Sequence, residues 1–272
     1  MSWRDVAYKD VNDASRSRGV WVLFVLLAVV SVGYAYLHTY LGESTFPAFL
    51  GGLTGVVSAT LPVLAVLVGY KSVVHERTSG TLVLTLSFPH SRWDFLVGKL
   101  VGRSVVLLAP MVVALALAGV VGAVRYGTEG AALYPWFLLA AALYGLAFVG
   151  ISVGLSLSTT VDRWITLGAF GSYFVLVTLW GGLHSLTMLV LHRFDGRVLA
   201  DMPDWALLFR LADPGEAFDR LVRAGFDVGL APRYVGAEAP VYVDWWMAVL
   251  VLVAWFAVPV GLGFRRFRTA DL

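Results

Sequence analysis

The chain is 272 residues long, 59% hydrophobic and 14% charged, with a net charge of +2 and no cysteine. Soluble domains carry about 25% charged residues, so this composition excludes an ordinary water-soluble globule. Disulfides, thiol catalysis and cysteine-based metal sites are excluded as well, and the near-neutral charge does not mark a nucleic-acid binder.

Residues 1–18 place Trp3, Val6, Ala7, Val11 and Ala14 on one helical face, with Arg4, Asp5, Lys9, Asp10 and Asp13 elsewhere. That spacing predicts an amphipathic helix lying in a membrane interface, the alternative being a solvated helical tail. Six apolar runs follow, near 19–41, 46–70, 102–124, 131–157, 164–190 and 245–264. Each is long enough to cross a hydrocarbon core some 30 Å thick. The first run is longer than a signal-peptide core and lacks a small-residue cleavage site, so it reads as a retained helix. The expected fold is an all-α polytopic membrane protein, a single membrane domain over 1–272.

Basic residues set the orientation. Arg4, Lys9, Arg16 and Arg18 precede the first run, Lys71, Arg77, Arg92, Lys99 and Arg103 follow the second, and Arg265, Arg266 and Arg268 close the tail. Only Arg125 follows the third run and only Arg163 the fourth. Counting short loops, this pattern predicts a plasma-membrane protein with both termini in the cytoplasm.

The loop between the second and third runs has a helical grammar of its own. Thr78 or Ser79 is placed to cap a short helix through Leu82, Leu84 and Leu86 to Phe88, stopped by Pro89. Ser91-Arg-Trp-Asp94 then has the form of a capping box opening a second helix that feeds through Lys99 into the third run. Further on, residues 192–244 form a long outer segment. Asp213-Pro214-Gly215-Glu216 reads as an N-cap, a first-turn proline and an acidic third residue, with a helix ending near Gly225. Trp205, Leu207, Leu208 and Leu211 make an amphipathic piece before it; both are expected to lie on, or dip into, the outer leaflet without spanning it.

Several motifs compete with bland readings. No P-loop is present, so the chain has no nucleotide site of that type. The central portions of the runs hold no Asp, Glu, Lys or Arg, which argues against a self-powered carrier and leaves no charged cavity lining to expect from the spans. Gly150-Ile-Ser152-Val-Gly154 matches G-x-S-x-G, but it lies inside an apolar helix, where small-residue packing is the competing reading. His184, Met188 and His192 fall four apart, a spacing that suits a soft metal site or simple packing. Gly51 and Gly55, like Gly98 and Gly102, are close-packing signals.

Glu76-Arg77-x-x-Gly80-Thr81-Leu82, then Ser87-Phe-Pro89-x-Ser91-Arg92-x-x-Phe95-x-x-Gly98-Lys99, resembles the cytoplasmic coupling region of ABC-2 type transporter permeases. The interfacial helix, six spans, outer re-entrant segment and basic tail are similar to that family too. Within it, the chain looks closest to the permease of the copper-site maturation transporter for nitrous-oxide reductase and its archaeal relatives. The resemblance implies a membrane subunit with no catalytic residue and no cofactor, ATP and Mg being bound by a separate cytoplasmic P-loop ATPase. It also implies a second permease subunit, identical or different, with residues 72–90 docking the ATPase through Glu76, Arg77, Gly80, Thr81, Leu82, Pro89 and Arg92. Direction, expected to be export, rests on the resemblance alone. The competing classes are an intramembrane serine hydrolase using Ser152 and a non-transporting membrane scaffold.

Overall fold

A computed structural model describes residues 2–40, 44–70, 72, 91–159, 161–199, 202–226 and 240–269. These residues form helices without strands. In chain order they are α1 (Trp3–Ser15), α2 (Arg18–Leu37), α3 (Phe46–Gly69), α4 (Arg92–Tyr126), α5 (Tyr134–Ser158), α6 (Asp162–Tyr173), a π-helical turn (Phe174–Leu179), α7 (Trp180–Leu191), α8 (Asp204–Leu211), α9 (Pro214–Gly225) and α10 (Trp245–Thr269). Six stretches are long and apolar enough to cross a membrane: Arg18–Tyr40, Phe46–Gly69, Arg92–Tyr126, Ala131–Ser158, Asp162–Leu191 and Trp245–Thr269. The fifth runs continuously through α6, the π turn and α7.

Helix α4 is 35 residues long because the helix started at Ser91 runs without a break into the third span. Its capping box is formed: Ser91 Oγ accepts from Asp94 N at 3.0 Å, and Asp94 Oδ2 accepts from Ser91 N at 3.3 Å. The shortest contact in the box is the Ser91 hydroxyl donating to Asp94 Oδ2 at 2.5 Å.

Between apolar helices in lipid, association depends on close packing and on polar contacts, since hydrocarbon is as apolar as leucine. The tightest packing here is α5 on α10. A Cβ on Gly150 would lie 2.5 Å from Phe256 Cα, and Gly154 and Gly263 bring the two backbones into contact beside the Pro259 carbonyl. The G-x-S-x-G stretch is therefore a backbone-to-backbone seam. Ser152 points away from it toward α3, fully buried, its hydroxyl donating to Val149 O at 3.1 Å and lying 3.5 Å from Ala65 O.

Helix α1 docks on α4. Gly98 accepts Val6 and the Trp3 carbonyl, and Gly102 accepts the Asp10 carboxylate, with no room for a Cβ at either position. The buried face is Val6, Ala7, Asp10 and Ala14. The sequence reading put Asp10 on the polar side, and the structure corrects it. Asp10 Oδ1 accepts from Lys99 Nζ at 2.6 Å and Arg103 Nη2 at 2.9 Å, with both the Asp10 and Lys99 side chains almost wholly buried. A buried carboxylate with two charge-assisted donors belongs inside; its apolar neighbours alone would not have predicted it.

Removing one member of a buried pair leaves an uncompensated charge, at a cost of about 3–5 kcal/mol. Asp10→Ala is expected to lower the thermal midpoint of the purified protein far more than Asp13→Ala does. Equal midpoints for the two variants would show that the buried pair contributes nothing. Gly154→Ala, which overpacks a backbone seam, is expected to cost about 1–3 kcal/mol in the same assay.

Candidate functional site

The starts of α1 and α4 and the end of α10 lie at one end of the bundle. Arg92 Nη1 donates to the carbonyls of Phe267 at 2.6 Å and Arg268 at 2.8 Å, and its guanidinium lies over the Phe267 ring. It thereby occupies carbonyls that the last turn of a helix leaves without partners, where a cation is favoured. Phe95 stacks on Phe267 and Trp93 meets Phe264 edge-on. On the other side of the loop, Arg103 Nη1 donates to Val68 O at 3.0 Å while its Nη2 holds Asp10. The end of α3 is thus tied to α1 through Arg103, and the start of α4 is tied to α10 through Arg92. Of the candidate docking residues, Arg92 is described; Glu76, Arg77, Gly80, Thr81, Leu82 and Pro89 lie outside the described residues.

The histidine–methionine group is occupied by protein. His184 Nε2 is 3.0 Å from Ala206 O and the ring stacks on Phe209; Met188 is fully buried against Val198 and Ala206. His192 Nδ1 is 3.0 Å from Met188 O in its own helix. Among the described residues, no group of three or more His, Cys, Asp or Glu is placed to hold a metal ion.

The second cluster sits at the opposite side of the molecule's depth. Helices α8 and α9 form a hairpin that enters the bundle from the end where α5 and α10 begin. Trp255 Nε1 donates to Ala212 O at 2.8 Å. Trp255 lies ten residues into α10, so at 1.5 Å per residue the hairpin tip reaches about 15 Å along that helix. Tyr144, equally far into α5, stacks on Phe218 with ring centroids 4.8 Å apart and donates its hydroxyl to Ser58 O at 3.0 Å. On the way out, Trp136 Nε1 donates to Leu221 O at 2.6 Å.

The tip carries charge to that depth. Asp213 caps α9, its Oδ2 accepting from Glu216 N at 3.1 Å, and is 6% exposed. Arg210 donates through Nε to Glu216 Oε1 at 2.8 Å, with a second contact from Nη2. Arg223 holds Asp219 at 2.8 Å. These residues line a cavity of about 320 Å³ whose opposite wall is Gly51, Thr54 and Ser58 of α3 with Leu176 and Val177 of the π turn. Asp213 belongs to the hairpin and to none of the six spans. Burial pushes its carboxyl up to about 7, while the bond from the Glu216 amide pulls the other way.

The sequence reading expected no charged cavity lining from the spans, and none of the charged residues of this cavity belongs to them: the charge arrives on a hairpin inserted between the spans. A signal was present in the sequence. Glu216, Asp219 and Arg223 fall three and four apart, a polar stripe opposite Phe218, Leu221 and Val222. A helix held by its apolar face among spans must turn that stripe toward a polar space.

Comparison with known proteins shows the family. A family model described as "ABC-2 family transporter protein" matches residues 4–272. The chain is similar to the probable ABC transporter permease protein NosY of Stutzerimonas stutzeri, 29% identical over 278 residues and covering 97% of each chain. It is also similar to that of Pseudomonas aeruginosa, 28% identical over 276 residues, covering 97% of this chain and 96% of the relative. With six apolar helices and a family match spanning nearly its whole length, the chain belongs to the ABC-2 transporter family.

Proposed function

We propose that this protein is the permease subunit of an ATP-driven exporter in the plasma membrane, both termini cytoplasmic, moved by a separate P-loop ATPase that binds ATP and Mg. A second permease subunit completes the pathway. The family match over residues 4–272 is the observation that carries the reading. Residues 72–90 dock the ATPase, with Glu76, Arg77, Gly80, Thr81, Leu82 and Pro89 as contacts and Arg92 as the anchor behind them.

The anchoring favours this assignment on physical grounds. A docking loop transmits force only if its ends are fixed to the elements that move. Here Arg92 ties its exit to the carbonyls of α10, and Arg103 ties its entry to α1 through Asp10. Positive-inside anchoring alone would be satisfied by basic residues, so the acidic Glu76 is better explained by pairing with a partner's cation. The hydrolase alternative needs an accessible Ser152 with a base, whereas its side chain is fully buried and its hydroxyl donates to a backbone carbonyl.

Detergent-solubilised protein from the native host, purified through an affinity tag, is expected to bring down a P-loop ATPase identifiable by mass. Glu76→Arg is expected to lose it while the permease still purifies as a folded membrane protein. If wild type captures no ATPase under mild extraction, the permease reading loses its energy source. Arg92→Ala is expected to keep ATPase binding but to uncouple it, with ATP hydrolysis continuing and transport falling by about tenfold, as expected when a 1.4 kcal/mol coupling is lost. Ser152→Ala is expected to cost about 1 kcal/mol of stability and leave transport intact; abolished function in a folded Ser152→Ala protein would restore the hydrolase reading.

A further inference from the structure

We propose that the cavity beneath the hairpin tip is a binding site for a small organic cation bearing an ammonium group, with Asp213 as its counter-charge. The inference deepens the transport reading by naming a substrate class, and it rests on that reading for its biological meaning though not for the binding itself.

The charge balance of the cavity comes first. Three carboxylates and two guanidinium groups line it: Asp213, Glu216 and Asp219 against Arg210 and Arg223. Arg210 is paired with Glu216 and Arg223 with Asp219. Asp213 is left as the carboxylate with no ion pair among the described residues. One oxygen accepts the Glu216 amide; the other, Oδ1, is buried and makes no hydrogen bond. A buried oxygen without a donor costs free energy wherever it lies. Asp10 Oδ2 is another, but two cations already meet that carboxylate. Asp213 has neither an ion pair among the described residues nor a donor at Oδ1, and is the one placed to take a ligand's positive charge.

The remaining lining is suited to a hydrogen-bond donor. The Thr54 hydroxyl donates to Leu50 O at 2.8 Å and the Tyr144 hydroxyl to Ser58 O at 3.0 Å. With their protons committed to carbonyls, both oxygens offer lone pairs. An ammonium group has donors and no acceptor, and it can use a carboxylate oxygen together with hydroxyl oxygens. A divalent metal would need a fuller set of anionic or imidazole ligands, which no group of three among the described residues supplies. Both guanidinium groups are already charge-paired, Arg223 keeping only its buried Nε without a hydrogen bond, so an anion would meet no unpaired cation and would face the unpaired carboxylate. The volume of about 320 Å³ admits a molecule of a few heavy atoms and its water.

The test uses the full-length protein in lipid nanodiscs, without the ATPase, so that its outcome is separate from that of the transport reading. Methylammonium, ethanolammonium and putrescine are titrated by calorimetry, with ethylene glycol as the neutral control and potassium and sodium as inorganic cations. Saturable binding of at least one amine is expected, with none by ethylene glycol. Asp213→Asn and Asp213→Ser both keep an N-capping side chain and remove the charge. Each is expected to weaken amine binding by about tenfold or more, the scale for losing one partner of a buried charge pair. Unchanged thermal midpoints in these variants would separate lost binding from lost fold; if one variant fails to fold, the other carries the comparison. No saturable binding by any of the three amines overturns the proposal, as does equal amine binding by folded variants. Asp213-dependent binding of potassium or sodium at least as tight as that of the amines overturns the ammonium class. In the assembled transporter, an amine that binds is expected to stimulate ATP hydrolysis; binding without stimulation would count against the transport reading while leaving the site in place.

Discussion

One carboxylate, Asp10, organises the end of the molecule where α1 and α4 begin. It accepts from Lys99 and Arg103 on successive turns of α4, and Arg103 continues to the Val68 carbonyl at the end of α3. Three helices from distant parts of the chain therefore share one charged node. A surface pair of this kind would contribute little, because water competes for both partners. Buried, the node has no such competition, and it sets the position of α1 along α4 more narrowly than the apolar contacts around it could. Gly98 and Gly102 make that approach possible by leaving room for Val6 and for the carboxylate itself.

The rest of the bundle follows the same logic with different chemistry. Apolar surface cannot choose between helical and lipid neighbours, so specificity falls to small residues and to side chains that reach backbone carbonyls. The α5–α10 seam uses Gly150, Gly154 and Gly263. Toward the far end, Tyr126 donates to Ala35 O at 2.6 Å, Trp136 to Leu221 O and Trp255 to Ala212 O. The last two hold the hairpin at depth. Fixed in this way by its apolar face and two indole donors, α9 carries its polar stripe into the interior of the bundle, where two of its charges are met by guanidinium groups.

What could be read from the sequence divides along the range of the interactions. The six spans follow from local composition, and the cap signatures at Ser91 and at Asp213 are complete within four residues; these were legible and formed, while the cap expected at Thr78 or Ser79 lies outside the described residues. The packing role of Gly150 and Gly154 was legible as one of two readings, and the approach of the α10 backbone at both positions is what forms it. Asp10 was not legible. Its partners are 89 and 93 residues away, and on its own helix it looks like one more charge beside Lys9 and Asp13. The polar cavity is illegible in the spans for a related reason: no span carries its charge, and Arg210, Asp213 and Glu216 belong to a segment between spans that re-enters the bundle.

The two ends are joined mechanically by α3. Its last turn is held by Arg103 at Val68, and its middle supplies Thr54 and Ser58 to the cavity. About fourteen residues, or roughly 20 Å of continuous helix, separate Val68 from Thr54. A helix of that length transmits displacement of one end to the other with little loss, apart from any bending at Pro62. Beside it in the same wall, the fifth span is π-helical from Phe174 to Leu179, a backbone form that occurs mostly as a local irregularity and frequently at functional sites. The cavity therefore has a wall made partly of a helix tied directly to the charged node and partly of irregular backbone, and a roof that is a separate hairpin. Movement of α3 relative to the other two would change the spacing of Thr54 and Ser58 from Asp213. That is the geometric condition for a site whose affinity depends on the position of the loop end of α3.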